Sequence, residues 1–198
     1  MKEIIDLENW LDEQLTKRMQ MLEQAQAKFY RLVDANASMD EISKSLWFTD
    51  SYSRLDYIME AFQPTPDWFE LLGDNWSSCD NVRDHADALV EVFKRHKHLT
   101  PYLMDEDDSR AFLELPDYIT VYRGQDEDYD LGLSWTLDEN RAKWFATHAM
   151  RYKTDNPVLI TAVIHKADIF AVKVGRGEQE VVCMPNIIVR SERLNEEN

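Results

Sequence analysis

Three short stretches in the last third of the chain carry residues whose types suit one chemistry. Tyr122-Arg123-Gly124 closes a strand-like run, Leu133-Ser134-Trp135-Thr136 forms a second, and Glu178-Gln179-Glu180 opens a third. A guanidinium can hold neighbouring phosphate oxygens through forked, charge-assisted hydrogen bonds, hydroxyls can orient a ribose, and a carboxylate can stabilise an oxocarbenium-like centre. In this combination they are equipped to break the glycosidic bond of NAD.

Each piece has its own reading. Gly124 lets the backbone turn after Arg123 and lets a ligand come close. Ser134 and Thr136 fall on one strand face by alternation and can orient a ribose or a carboxylate. Thr136-Leu137-Asp138-Glu139 also fits a capping box, with Thr136 as N-cap of a helix that turns Ala142, Phe145, Ala146 and Ala149 inward. Glu178 and Glu180 read as two acids on one strand face, after the loop Gly175-Arg176-Gly177; one stabilises the cationic centre and the other positions or deprotonates the incoming nucleophile. Trp135, Trp144 and Phe145 can stack on nicotinamide or adenine, although aromatics at such spacings more often build core. Taken singly, Arg123 reads rather as a surface partner of one of many acids, and the Glu pair as readily as a solvated strand edge. Neither a Gly-x-Ser-x-Gly elbow nor a Gly-x-Gly-x-x-Gly fingerprint accompanies these residues.

The elements that must position them differ between the two halves. Ile4, Leu7, Leu11, Leu15, Met19, Leu22, Phe29 and Leu32 recur at three- and four-residue intervals, which predicts a long helix with one apolar stripe that needs a partner. Further helices are expected over 39–62, 67–72 (ending near Gly73) and 82–96, with Gln63-Pro64-Thr65-Pro66 as a break. After Pro116, β-branched and aromatic runs at 118–122, 158–164, 169–174, 181–184 and 187–189 predict strands. The expected class is therefore α+β: a helical region over 1–115 packed, as one body, on a β-rich core over 116–198.

In their order, spacing and strand context, Arg123, Ser134 with Thr136, and Glu178 with Glu180 resemble the arginine-serine-glutamate class of ADP-ribosyltransferases, which includes arginine-modifying bacterial toxins and vertebrate ecto-enzymes. The resemblance implies a split β-sandwich with NAD in its cleft. Arg123 would hold the NAD phosphates, Ser134 would orient the nicotinamide ribose and the catalytic acid, Glu180 would be that acid, and Glu178 would engage the acceptor. Where the family usually has Ser-Thr-Ser, this chain has Ser134-Trp135-Thr136. About the last two thirds of the chain, including Trp76-Ser77-Ser78-Cys79-Asp80-Asn81, is similar to phage and prophage proteins, which implies a toxin in phage–host conflict and an antitoxin or inhibitor protein as partner. The implied reaction moves ADP-ribose from NAD to a macromolecule; a glutamate two residues before the catalytic one implies an arginine acceptor. RNA-base modification and a non-catalytic interaction protein are the alternatives.

Composition bears on partners. Lys and Arg number 22 against 38 Asp and Glu, a formal charge of −16, which disfavours a generally basic nucleic-acid surface and favours a protein acceptor. No apolar leader and no run of spanning length is present, so a cytoplasmic protein without membrane contact is expected. Cys79 and Cys183 have no metal or redox spacing and read as small buried hydrophobes. Asp126, Asp128 and Asp130 have the alternate spacing of a calcium loop, but Leu131 and Leu137 stand where the glycine and bidentate glutamate belong. His96 and His98 suit a helix C-terminus better than a metal; no metal is expected.

Overall fold

The computed structural model describes residues 7–148, 154–175 and 179–194. They form helices and an antiparallel sheet, an α+β chain. Contacts divide it into two compact units, residues 1–63 with 74–81, and residues 64–73 with 82–198.

The first unit is helical. Its long helix α1 (Leu7–Asp34) ends where Asn36 takes a left-handed backbone, φ 50°, so that the Asn36 and Ala37 amides close on the carbonyls of Val33 and Leu32 at 2.9 and 3.0 Å. Helix α2 (Met39–Leu46) starts from a capping box between Ser38 and Glu41. The helical stretch expected over 39–62 is divided between α2 and α3 (Arg54–Ala61). Between them, the buried Arg54 guanidinium donates to the carbonyls of Thr49 (3.0 Å) and Ser78 (2.6 Å), so a side chain stabilises a turn that leaves backbone acceptors outside any helix. Phe29, Ile42, Leu46, Leu55 and Ile58 are buried. The stripe on α1 is covered only in its second half, at Ala25 and Phe29; Leu11, Leu15 and Met19 are 46, 59 and 62% exposed.

The second unit holds the sheet. Its strands are β1 (Tyr118–Asp126), β2 (Ser134–Thr136), β3 (Pro157–His165), β4 (Ile169–Lys173), β5 (Glu180–Cys183) and β6 (Ile188–Arg193), in the spatial order β4-β5-β2-β1-β3-β6. All neighbouring pairs are antiparallel. One face carries Ile119, Val121, Trp135, Ile160, Ala162, Val172, Val181 and Cys183 as a continuous apolar cluster, and Leu159 and Val182 are buried on the other, so both faces are covered. Helix α6 (Glu106–Glu114), which the acid-rich sequence at 105–108 hid, begins from a capping box between Asp105 and Asp108 and sets Ala111 and Phe112 against that cluster. Helix α7 (Glu139–His148) packs on β1, β3 and β2.

Residues 64–73 and 82–115, expected with the helical half, thus belong with the strands. Their side chains explain it: Phe93 of α5 (Ala86–Arg95) meets Phe170 of β4 at 5.1 Å between ring centroids, and buried Asp108 pairs with Lys173 at 2.7 Å. Gly73 does not end its helix either. Helix α4 (Pro66–Asn75) runs through it, and a β-carbon there would lie 2.2 Å from the Leu103 carbonyl oxygen, so glycine serves close packing.

Candidate functional site

The sheet order brings the three chemical stretches onto neighbouring strands: Arg123 on β1, Ser134 and Thr136 on β2, Glu180 at the start of β5. Residues 57 positions apart in the chain become side-by-side because β5 enters the sheet next to β2. Thr136 pairs in register with Tyr122 on one side and with Glu180 on the other. Directly opposed residues share a face, and Ser134, two positions along, shares it as well. Lys173 on β4 extends the same row, opposite Glu180.

Arg123 starts from the other face, in line with Ile119 and Val121, and comes to Ser134 through the backbone. Its Nη1 donates to the Ser134 carbonyl at 2.5 Å and its Nε to Gln125 Oε1 at 2.6 Å. Gly132 makes room for it, since a β-carbon there would lie 2.7 Å from Nη2. The guanidinium is half-buried and joins β1 to β2 beyond the Tyr122–Thr136 pair. Arg123 and Glu180 both act on the Cys183 thiol. Burial raises its pKa, the Arg123 cation opposes that, and the Glu180 carboxylate adds to it.

Several site expectations need correction. Gly124 does not open space for a ligand, because a β-carbon there would lie 1.8 Å from the Ala142 carbonyl oxygen of α7; its missing side chain lets helix and strand touch. Trp135 is 2% exposed in the apolar cluster and its Nε1 donates to the Gly132 carbonyl at 3.0 Å, so the ring is core and offers no stacking surface. Thr136 is not the N-cap. Its Oγ1 accepts the Asp138 amide at 3.1 Å, and Asp138 Oδ1 caps the helix by accepting the amides of Asn140 (2.8 Å) and Arg141 (3.3 Å). Trp144, by contrast, is 43% exposed and lies parallel to His148, with Arg141 over its ring at 4.8 Å. Ala142 and Ala146 are buried as expected and Phe145 half-buried; Ala149 lies outside the described residues.

Glu178 also lies outside the described residues, with Arg176 and Gly177. Gln179, the residue before β5, has φ 45°.

The end of β1 and the loop that follows it hold further residues with partners of their own. Gln125 is buried and bonds at both ends of its amide, to Arg123 and, through Nε2, to the Tyr129 carbonyl at 2.6 Å. Its place two residues after Arg123 on a strand was a legible signal that the two share a side. Asp126, one of the three aspartates at calcium-like spacing, instead accepts the amides of Asp128 (3.0 Å), Asp155 (2.7 Å) and Asn156 (3.0 Å). The Asn156 amide first, then that of Asp128, holds its carboxyl below the ordinary value. Arg83 lies over the Tyr129 ring at 4.1 Å. Among the described residues no group of three or more His, Cys, Asp or Glu could hold a metal ion. Both cysteines are free and buried, and burial pushes the Cys79 thiol up to about 12. No described helix is long and apolar enough to cross a membrane.

Family models, curated proteins and solved structures were each compared with the chain, and none matches it.

Proposed function

We propose that the second unit is a mono-ADP-ribosyltransferase acting on NAD. The observation that carries this reading is that Arg123, Ser134 with Thr136, and Glu180 stand on three adjacent strands, β1, β2 and β5, with the Arg123 guanidinium reaching the Ser134 carbonyl. It supports the resemblance stated from sequence, and the ADP-ribosyltransferase-like split β-sandwich belongs to the same proposal. The Arg123 fork takes the pyrophosphate, and Ser134 and Thr136 face the ribose. The Glu180 carboxylate stabilises the cation left when the bond from ribose C1 to nicotinamide breaks and nicotinamide leaves neutral. The acceptor nitrogen then bonds to C1 and gives up its proton to a base, a role for Glu178 in this reading. A protein arginine is the favoured acceptor, and the net charge of −16 accords with a basic target. The cytoplasm, and a toxin role with an inhibitor protein as partner, complete the proposal.

Radiolabelled NAD incubated with the chain and a whole-cell lysate tests it. Label that survives nuclease and is lost to protease identifies a protein acceptor, and the converse identifies RNA. Absence of both transferred label and nicotinamide release refutes the enzyme. A second reading is favoured by one observation: Leu11, Leu15 and Met19 stay exposed on α1, as they would on a helix that binds a partner. In that case the chain binds without turning over NAD.

A further inference from the structure

We infer that Gln125 is the positioning residue for Arg123, an adapter that fixes the guanidinium while adding no charge to it. The inference deepens the proposed function and, for its ligand, rests on that reading.

Arginine can only donate hydrogen bonds and a backbone carbonyl can only accept them. Gln125 stands between one of each, taking the Arg123 Nε–H on Oε1 at 2.6 Å and giving Nε2–H to the Tyr129 carbonyl at 2.6 Å. A primary amide satisfies both ends at once. A glutamate satisfies the arginine but turns an acceptor toward the Tyr129 carbonyl, and an apolar residue satisfies neither. The amide's orientation is therefore set by its partners, and Gln125 is 6% exposed, so bulk solvent offers it few others. The far end of the adapter is itself fixed, because Tyr129 sits under Arg83 and the neighbouring Asp126 gathers three backbone amides. The aim of Arg123 is thus referred to the whole β1–β2 loop. Gln125 is a neutral acceptor in a chain with 38 acidic side chains. A carboxylate in its place would grip the arginine more tightly and cancel field that an anionic ligand needs.

The test compares Gln125→Met, close in volume, with Gln125→Glu, and has two readouts. The first needs no NAD: the Arg123 Nε–H resonance in a nitrogen–proton NMR spectrum, assigned by its disappearance in Arg123→Lys. Proton exchange at this site should speed up at least about tenfold in Gln125→Met, the order of one lost hydrogen bond, and stay slow in Gln125→Glu. The second is calorimetric titration of NAD into proteins checked for folding by circular dichroism. Both variants should bind NAD about tenfold more weakly, Gln125→Met through lost aim and Gln125→Glu through lost field. Unchanged Nε–H exchange in Gln125→Met overturns the adapter, whatever happens to NAD. If the exchange behaves as stated but wild-type protein binds no NAD, the adapter stands and the proposed function falls. Wild-type NAD affinity in Gln125→Glu overturns the charge argument.

Discussion

Replacing Asp108 by asparagine should lower the stability of the sheet-bearing unit by about 3 kcal/mol. The Asp108 side chain is 2% exposed, and its carboxylate takes the Lys173 ammonium at 2.7 Å, the Val174 amide at 2.8 Å and the Asp105 amide at 3.3 Å. Breaking a buried ion pair from one side costs about 3–5 kcal/mol, because the remaining charge is left desolvated. The lower figure applies here: Lys173 is 14% exposed and also donates to the Leu103 carbonyl at 3.0 Å, and asparagine keeps an oxygen for the Val174 amide. In a chain of this size each kcal/mol moves the melting temperature by about 2–4 °C, so scanning calorimetry of the full chain should show the transition of this unit lowered by about 6–12 °C. The companion variant is Lys173→Met. On its own it removes the cation, and combined with Asp108→Asn it should recover about half of the loss, since no buried charge is then stranded. A melting temperature within about 1 °C of wild type in Asp108→Asn, or strictly additive losses in the double variant, would refute the reasoning.

Four further outcomes are expected. Glu180→Gln should abolish label transfer from NAD with circular dichroism unchanged, since the amide keeps the shape and loses the charge; near wild-type labelling removes the catalytic assignment. Arg123→Lys should weaken NAD binding about tenfold or more by calorimetry, because an ammonium cannot reproduce the fork, and equal affinity returns Arg123 to a purely structural role. Gly124→Ala should cost about 3 kcal/mol in urea titration, since a β-carbon 1.8 Å from the Ala142 carbonyl forces α7 off the strand; a loss under about 1 kcal/mol means that α7 moves freely. Asp126→Asn tests the depressed carboxyl. With its folded pKa below 3.8, Asp126 contributes stability that is present above that value and is lost as pH falls through the lower folded one. The gap between wild type and variant should therefore hold steady in neutral solution and shrink only below pH 3.8, and a gap independent of pH contradicts it.

Local chemistry was legible in the sequence where local chemistry decides. Alternating β-branched runs announce β1, β3 and β4 to within a few residues, and the class follows from them. What escaped reading was fixed by long-range contact. Gly73 reads as a helix stop, and Leu103 makes it a packing site instead. Asp105 to Asp108 is a run of acids with no apolar residue among them, yet Asp108 is buried because Lys173 arrives from 65 positions away. Gly124 and Trp135 have site-like neighbours in sequence, but helix and core claim both. The Thr136 cap failed by two residues, since Asp138 competes with a stronger acceptor nearer the helix start. The grouping of Arg123, Ser134 and Glu180 could be guessed from order alone, but the left-handed turn at Gln179 cannot be seen in an ordinary glutamine.

The place of β5 in the sheet has a consequence for how the molecule comes into being. In the sheet, β4 pairs with β5 alone, and β5 is what joins β4 to β2. During synthesis β1, β2 and β3 can associate as soon as they emerge, but β4 waits without a sheet partner until residues 180–183 arrive. Sheet completion is a late, non-local event of the kind that slows folding and leaves strand edges open in the meantime. Any nascent chain that stops short of β5 lacks both Glu180 and the covering of the β2 edge. Whatever this site does, the cell meets it only after residues 180–183 have joined the sheet.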